Sequence, residues 1–398
     1  MIRNAALFFV LLALLLFTTG CWSRRELNDL AIVTAIGIDK VGKKYYLSVQ
    51  VVDPGEVAKR KGDSGRSPVT MYNETGDTMF EAIRKMTTVT PRKLYFSHLR
   101  IFVIGEELAK EGIGKTLDLF SRDQELRTDF YIVVSKGLKA KEILNILTPL
   151  EKIPATKMFT SLEVSEKAWA PTVSIQLDEL ITDMVTEGKH AVLTGIRFQG
   201  DPERAKGKNN VVVVDAPVNL QYWGIAVFKR DKLVGWLNED ESKGFSSLTN
   251  RLDSTVIEVA CPKGGTVGIE VMRSKTKVKG KVKNGKPEVE VTILTEANVA
   301  DVECELDLQK VKTLYGLEQE VEQVMQTNAE RALRKAKKWQ SDVFGFGEAI
   351  HRADPKYWKK IKKDWSKQFQ ELPVHFKIDV KIRRLGTIGD SFLNNIKE

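Results

Sequence analysis

The chain has 398 residues, 42% of them hydrophobic and 29% charged, the balance of a folded protein able to bury a core. Its 62 Lys and Arg against 53 Asp and Glu give a formal charge of +9, which makes acidic surfaces natural partners. Four histidines and three cysteines are too few for a zinc-ribbon cluster, a dense disulfide framework or a ferredoxin-type iron–sulfur pattern.

Residues 1–20 read as a signal peptide: Arg3 is followed by apolar residues from Ala5 to Phe17 and then by the small Thr18, Thr19 and Gly20. The run is shorter than the roughly 20 residues needed to cross a hydrocarbon core. Cleavage before Cys21 would leave a cysteine first, with Gly20 and Thr19 as the small side chains a lipoprotein peptidase accommodates. Thr18 departs from the usual Leu, Val or Ile three positions before the cysteine. The expectation is a diacylglycerol on Cys21, with acyl chains of the palmitate kind, and a plain secreted protein is the alternative. Two chains, at about 0.8 kcal/mol per buried CH₂, anchor stably where one does not. Cys261 and Cys304, 43 positions apart, suit either a disulfide or two buried thiols.

The mature chain opens with a strand pair, Leu30 to Ile38 and Tyr45 to Val52, the first apolar nearly throughout and so expected buried on both faces. Residues 53–68 are polar and rich in Gly, Pro and charge, an exposed loop, and a strand follows at Val69 to Glu74. A helix capped by Asp77 is expected over Thr78 to Met86, then one long strand from Leu94 to Gly105, a helix from Glu106 to Phe120, and a strand at Asp129 to Val134. Three helical stretches separated by Pro149, Pro154 and Pro171 occupy 139–187, closed by a strand near Ala191 to Phe198. The loss of hydrophobicity at 200–209 places a domain boundary near 205. Beyond it come a hairpin turning at Arg230 and Asp231, a short helix at about Asn238 to Leu248, and a β-meander turning at Asn284-Gly285. A long helix follows from about Leu308 to Gln340, acidic early and basic late, then a helix over Pro355 to Phe369 and a strand from Val374 to Ile382. The fold class is α+β, with antiparallel-rich sheets and several domains: 21–136 mixed α/β, 137–205 helix-rich, and 206–398 with the meander and long helices.

Little here carries catalysis. Gly114-Lys115-Thr116 ends like a phosphate-binding loop, but the glycine needed five positions earlier is Ala109, and the segment falls within the expected helix, so it reads as a bend. His98, His190, His351 and His375 are scattered and form no metal-ligand spacing, and no G-x-S-x-G elbow occurs. Pairs such as Glu106 with Glu107 and Asp178 with Glu179 are ordinary. We therefore expect no enzyme, no metal and no cofactor beyond the lipid on Cys21.

Charge is more informative. Between Arg331 and Lys363, eleven Lys or Arg stand against Asp342, Glu348 and Asp354. Arg331, Arg334, Lys335, Lys338, Lys356, Lys359, Lys360 and Lys363 are candidates to meet anionic lipid or an acidic partner, against the plainer reading of two solvated helix faces. Nucleic acid is a poor partner for an exported chain. Trp339, Phe344, Phe346, Tyr357, Trp358 and Trp365 interleave this region and suit either a membrane-interface helix or a core.

The segment CWSRRELNDLAIVTAIGID from Cys21 to Asp39, with its Trp22, Arg25, Glu26 and Asn28, and VFGFGEAIHRADPKYWK from Val343 to Lys359, resembles the Ger(x)C family of spore-germination lipoproteins along the whole chain. The resemblance implies the C subunit of a nutrient germinant receptor, lipid-anchored on the outer surface of the spore inner membrane. It implies a non-catalytic protein working with the A and B membrane subunits, the first of them multi-spanning, and commonly folded in three domains. Cys21 is the one functional position it carries over. The alternative expectation is a tethered lipoprotein that itself captures a nutrient germinant in an apolar pocket, and a wall hydrolase has no motif behind it.

Overall fold

A computed structural model describes Asn4 and residues 29–58, 66–123, 125–205, 207–261 and 264–384. The expected signal peptide and Cys21 lie outside the described residues.

The core of the molecule is a mixed sheet in the order β3-β2-β1-β5-β6-β7-β8-β9, with β4 paired to the start of β1. Its strands are β1 (Leu30–Val41), β2 (Lys44–Val52), β3 (Val69–Gly76), β4 (Lys93–Tyr95), β5 (Ile101–Gly105), β6 (Tyr131–Ser135), β7 (Val192–Gly200), β8 (Val218–Lys229) and β9 (Lys232–Leu237). The central strands β1, β5, β6 and β7 run parallel, and every residue of IFVIG and YIVVS is buried. Near-continuous apolar runs are what a parallel sheet covered on both faces requires. Alternation then divides each strand between two cores. Ala35, Ile101, Val103 and Val133 pack with Ile143, Leu144, Met158 and Leu162 from the helices Ala140–Leu144 and Pro154–Ala168. Ile36, Phe102, Ile104 and Ile132 face the larger core, which continues through Phe245 into the long helix and the second sheet.

Two motif residues in β1 are explained by this packing. A Cβ on Gly37 would come within 2.9 Å of Leu144, so glycine is what lets the helix Ala140–Leu144 approach the strand. The buried Asp39 carboxylate accepts from the N–H groups of Ala140 at 2.7 Å and Lys141 at 3.0 Å, holding that helix N-terminus. Burial raises its pKa against the pull of those donors.

Several elements differ from expectation. The strand expected from Leu94 to Gly105 is two strands, because a turn at Phe96 to Leu99 shifts its register along β1: Ile32 pairs with Tyr95 but Ala35 with Ile101. The helix expected from Glu106 to Phe120 is also two, Glu106–Glu111 and Gly114–Arg122. Gly112 breaks it at φ +134°, and Asp231 at the tip of the β8–β9 hairpin accepts from Ile113 N–H at 2.9 Å. The phosphate-loop lookalike is thus a bend clamped by the hairpin. The cap of the helix Met79–Lys85 is Thr78, whose hydroxyl accepts from Glu81 N–H at 3.1 Å, one residue beyond the expected Asp77. The stretch around residue 205 connects two neighbouring strands of this sheet, Gly200 pairing with Val218.

The second sheet has the order β10-β11-β12-β13: β10 (Thr255–Ala260), β11 (Thr266–Lys283), β12 (Lys286–Val302) and β13 (Val374–Arg384). β11 and β12 form the expected meander about Asn284-Gly285, and β13 returns parallel to β12. The long helix runs Val311–Trp339, and the short helix Glu239–Leu248, capped by Asn238 and Glu241, packs along it. Where one helix is expected from Pro355 to Phe369 there are Pro355–Ile361, a 3₁₀ turn and Trp365–Glu371, and a further helix Phe346–Ala353 precedes them.

Cys261 and Cys304 are joined by a disulfide that clips the end of β10 to the end of β12, resolving the open choice between bond and thiols. It closes a loop of 43 residues. Replacing both cysteines by serine is expected to cost about 2–4 kcal/mol in urea unfolding, through the freed chain entropy of the unfolded state. An unchanged midpoint would show that the sheet holds these ends without the bond.

Candidate functional site

The basic residues singled out by the sequence do not form one surface. On the long helix, Arg331 lies 3.7 Å from Asp240, and Lys335 lies 2.7 Å from the buried Glu241 while donating to Trp236 O at 3.2 Å. Both hold the helix Glu239–Leu248 in place. Lys337 turns the other way and donates to Leu372 O at 2.6 Å, where burial lowers its pKa. Lys362 pairs with Glu187 at 2.9 Å. Arg334, Lys338, Lys356, Lys359, Lys360 and Lys363 are exposed, with no ion pair among the described residues. The last four stand on the short C-terminal helix and the 3₁₀ turn after it, whose inner side carries buried Trp358. The aromatic residues are core: Phe344, Phe346, Trp358 and Trp365 are buried, and Trp339 and Tyr357 pack against them partly covered.

Beneath this basic surface lies the feature that the sequence hid. Gln340 ends the long helix in the left-handed conformation at φ +56°, and the chain turns so that Asp342 is wholly buried. One carboxylate oxygen accepts from Phe344 N–H at 3.1 Å and Phe346 N–H at 3.2 Å, the other from Gly347 N–H at 2.7 Å and Trp365 Nε1–H at 3.0 Å. Its backbone carbonyl accepts from His190 N–H at 2.8 Å, and Ser341 Oγ donates to Phe228 O, so β7 and β8 are bound to the same turn. Close approach is enforced by two glycines: a Cβ on Gly347 would fall 2.6 Å from Gly188 Cα, and one on Gly188 would fall 2.7 Å from the Trp358 ring. The Phe-Gly-Phe-Gly motif therefore wraps an acid, and Asp342, which by sequence merely offsets the neighbouring lysines, is its centre. The available signal was an Asp followed by glycines at 345 and 347, the spacing that lets several successive N–H groups converge on one carboxylate.

Beside it, a cavity of about 230 Å³ is lined by Phe245, Arg251, Thr276, Phe344, Glu348 and Arg352 among others. Of its charged residues, Asp183 pairs with Lys189 at 2.7 Å and Arg251 pairs with Glu179 and Glu166 outside the lining, while Glu348 and Arg352 have no ion pair among the described residues. No three His, Cys, Asp or Glu side chains gather at metal-holding distance among the described residues. Nor is any described helix long and apolar enough to cross a membrane.

His190 and Asp342 make opposite pH contributions. Burial, then Lys229 and Arg230, hold the His190 pKa down at about 4 from its ordinary 6.5. Burial pushes Asp342 up from 3.8 to about 6, against the pull of its four donors. As pH falls from 6.5 toward 4, the unfolded histidine binds a proton that the folded one refuses, so this group withdraws stability. As pH falls from about 6 toward 3.8, the folded aspartate binds a proton before the unfolded one, so this group adds stability. Relative to the parent, His190→Gln should gain about 2 kcal/mol across that descent and Asp342→Asn should lose about as much, beyond its fixed cost at neutral pH. Urea unfolding at stepped pH checks this, and three parallel profiles would contradict it.

Residues 23–198 match the family model described as the spore germination protein N-terminal domain, and residues 223–386 match that of the spore germination B3/GerAC-like C-terminal region. The chain is 34% identical to spore germination protein KC of Bacillus subtilis (strain 168), covering 100% of both chains. It is 25% identical to spore germination protein B3 of the same organism, over 97% of this chain and 100% of that one. Among solved structures, the GerBC protein superposes with a TM-score of 0.56 at 21% identity, over 87% of this chain and 96% of that one, a likeness of fold. With both halves matched by the family's models and a relative aligned from end to end, the chain belongs to the Ger(x)C family of spore germination proteins.

Proposed function

We propose that the protein is the C subunit of a spore nutrient germinant receptor, a non-catalytic scaffold that couples the A and B membrane subunits. It is held on the outer surface of the spore inner membrane by lipid on Cys21. The observation that carries this reading is the end-to-end relationship with spore germination protein KC, in a chain whose own leader ends at a lipoprotein-type cysteine. The disulfide between Cys261 and Cys304 supports an extracytoplasmic location, because such bonds persist where thiols are not kept reduced. Anchoring acts here through concentration: two acyl chains confine the folded part to the membrane plane, where weak contacts to the other subunits suffice. The exposed Lys356, Lys359, Lys360 and Lys363 share one face and, with Arg334 and Lys338 on the long helix, are left for headgroups or an acidic neighbour, at about 1 kcal/mol for each side chain near an anionic surface.

The competing reading, direct capture of a nutrient, has the cavity of about 230 Å³ as a candidate site, which is below the usual size of a small-molecule pocket and has Asp183, Lys189 and Arg251 already engaged in ion pairs. Calorimetric titration of the purified protein with germinants should give no binding heat, and saturable heat would favour capture.

Spores carrying Cys21→Ala should lose nutrient-triggered germination, with the protein depleted from the membrane fraction while non-nutrient germination persists. Normal germination with the protein still in the membrane would contradict a lipid-dependent role. Reversing Lys356, Lys359, Lys360 and Lys363 to glutamate should weaken binding to anionic vesicles at least tenfold, and unchanged binding would reduce that face to solvated surface.

A further inference from the structure

β10 covers only the first part of β11, from Thr266 to Val271, so Arg273 to Lys283 has a strand partner on one side only, β12. The direction of its free backbone groups follows from the register. Val289 donates its N–H to Pro373 O at 2.9 Å, on the β13 side, so Val289 and Gly280 form a non-hydrogen-bonded pair and the N–H and C=O of Gly280 point away from β12. No register shift interrupts the ladder between Arg273 and Lys283, so Thr276, Val278 and Val282 share that direction. Thr276 N–H is capped by Asn250 Oδ1 at 2.7 Å. Beyond it, Val278, Gly280 and Val282 turn backbone donors and acceptors outward along a groove of about 600 Å³ that Arg352 and Ala353 also line, while Gly280 is itself buried with the Ala349 backbone packed on its face. From Lys277 to Lys283 this edge is roughly 23 Å long at about 3.3 Å per residue, room for a short strand.

The edge is positively charged. Lys275, Lys277 and Lys279 project from the outer face without an ion pair among the described residues, and exposed Arg352 stands across the groove. Lys281 and Lys283 are paired to Glu290 and Glu288.

We propose that an acidic, extended segment of a partner protein adds to this edge as a further strand. Its backbone bonds to Val278, Gly280 and Val282, and its carboxylates, all on one face of the added strand, meet Lys277 and Lys279. A strand is favoured over a lipid surface because a row of alternating N–H and C=O groups in a groove is matched in register only by another backbone. Headgroups would engage the lysines and leave the edge unsatisfied. The inference rests on the edge itself and stands whichever complex the protein joins.

The test uses the full chain in detergent and a fluorescein-labelled octapeptide of alternating Glu and Thr, read by fluorescence anisotropy. Val282→Pro removes one outward N–H while leaving the bonds to β12 and all charges in place. The acidic peptide should bind, and Val282→Pro and the pair Lys277→Glu with Lys279→Glu should each weaken it at least tenfold. The same peptide N-methylated at alternate positions should fail on the unaltered protein, which keeps the test decisive if Val282→Pro does not fold. Equal binding of the methylated peptide would overturn strand addition in favour of plain charge attraction. Absence of binding would overturn it as well, leaving the lysines as a guard against edge-to-edge pairing. So would binding to phosphatidylglycerol vesicles, lost in the double lysine variant, when the peptide does not bind.

Discussion

A buried carboxylate with four N–H donors is the joint on which the C-terminal third of this molecule depends. Asp342 gathers the backbone of Phe344, Phe346 and Gly347 and the indole of Trp365, and its own carbonyl takes the N–H of His190. Desolvating a carboxylate is costly, and the energy returns only if its lone pairs are filled, as they are here. The arrangement is all or nothing. Removing the acid would strand several buried donors at once, while the glycines that let them converge tolerate no side chain. The turn therefore fixes where the last helices sit on the β7–β8 end of the main sheet, and with them the lysines on their outer side.

The other constraint is the parallel centre of that sheet. Because β1, β5 and β6 are buried on both faces, each must be covered twice, and alternate residues are committed to different cores. The smaller core is closed by the helices Ala140–Leu144 and Pro154–Ala168, with Asp39 and Gly37 fixing the first of them. The larger runs on without interruption into the second sheet. Packed side chains and the Asp342 turn join the second sheet to the first.

Legibility in the sequence followed the range of the interactions. The β11–β12 meander was readable because period-two alternation and Asn284-Gly285 are local signals, and the long helix because its apolar stripe recurs over many turns. The breaks were not, since each is made by a distant residue. Asp231 clamps the bend at Gly112, and the turn at Phe96 to Leu99 exists to change register against β1. The helix Phe346–Ala353 was hidden by the glycines that Asp342 needs. Of the basic residues, sequence could count the charges but not their directions, so Arg331 and Lys335, which secure a neighbouring helix, looked the same as Lys359 and Lys360, which face solvent. The disulfide was open for the same reason, as two cysteines 43 positions apart meet only because β10 and β12 flank β11.

The buried carboxylates Asp39 and Asp342 are filled by N–H donors, and the lysines of the last helices and of β11 that have no ion pair among the described residues stand on the surface. The proposed role of holding other proteins together rests on those open surfaces. The most direct test is affinity purification of the tagged protein from solubilised spore inner membrane, with co-purifying proteins quantified by mass spectrometry. The expected result is recovery of two membrane proteins, one of them multi-spanning, in constant proportion to it. Recovery of the protein alone, from membranes in which those proteins are abundant, would contradict its role in a receptor complex.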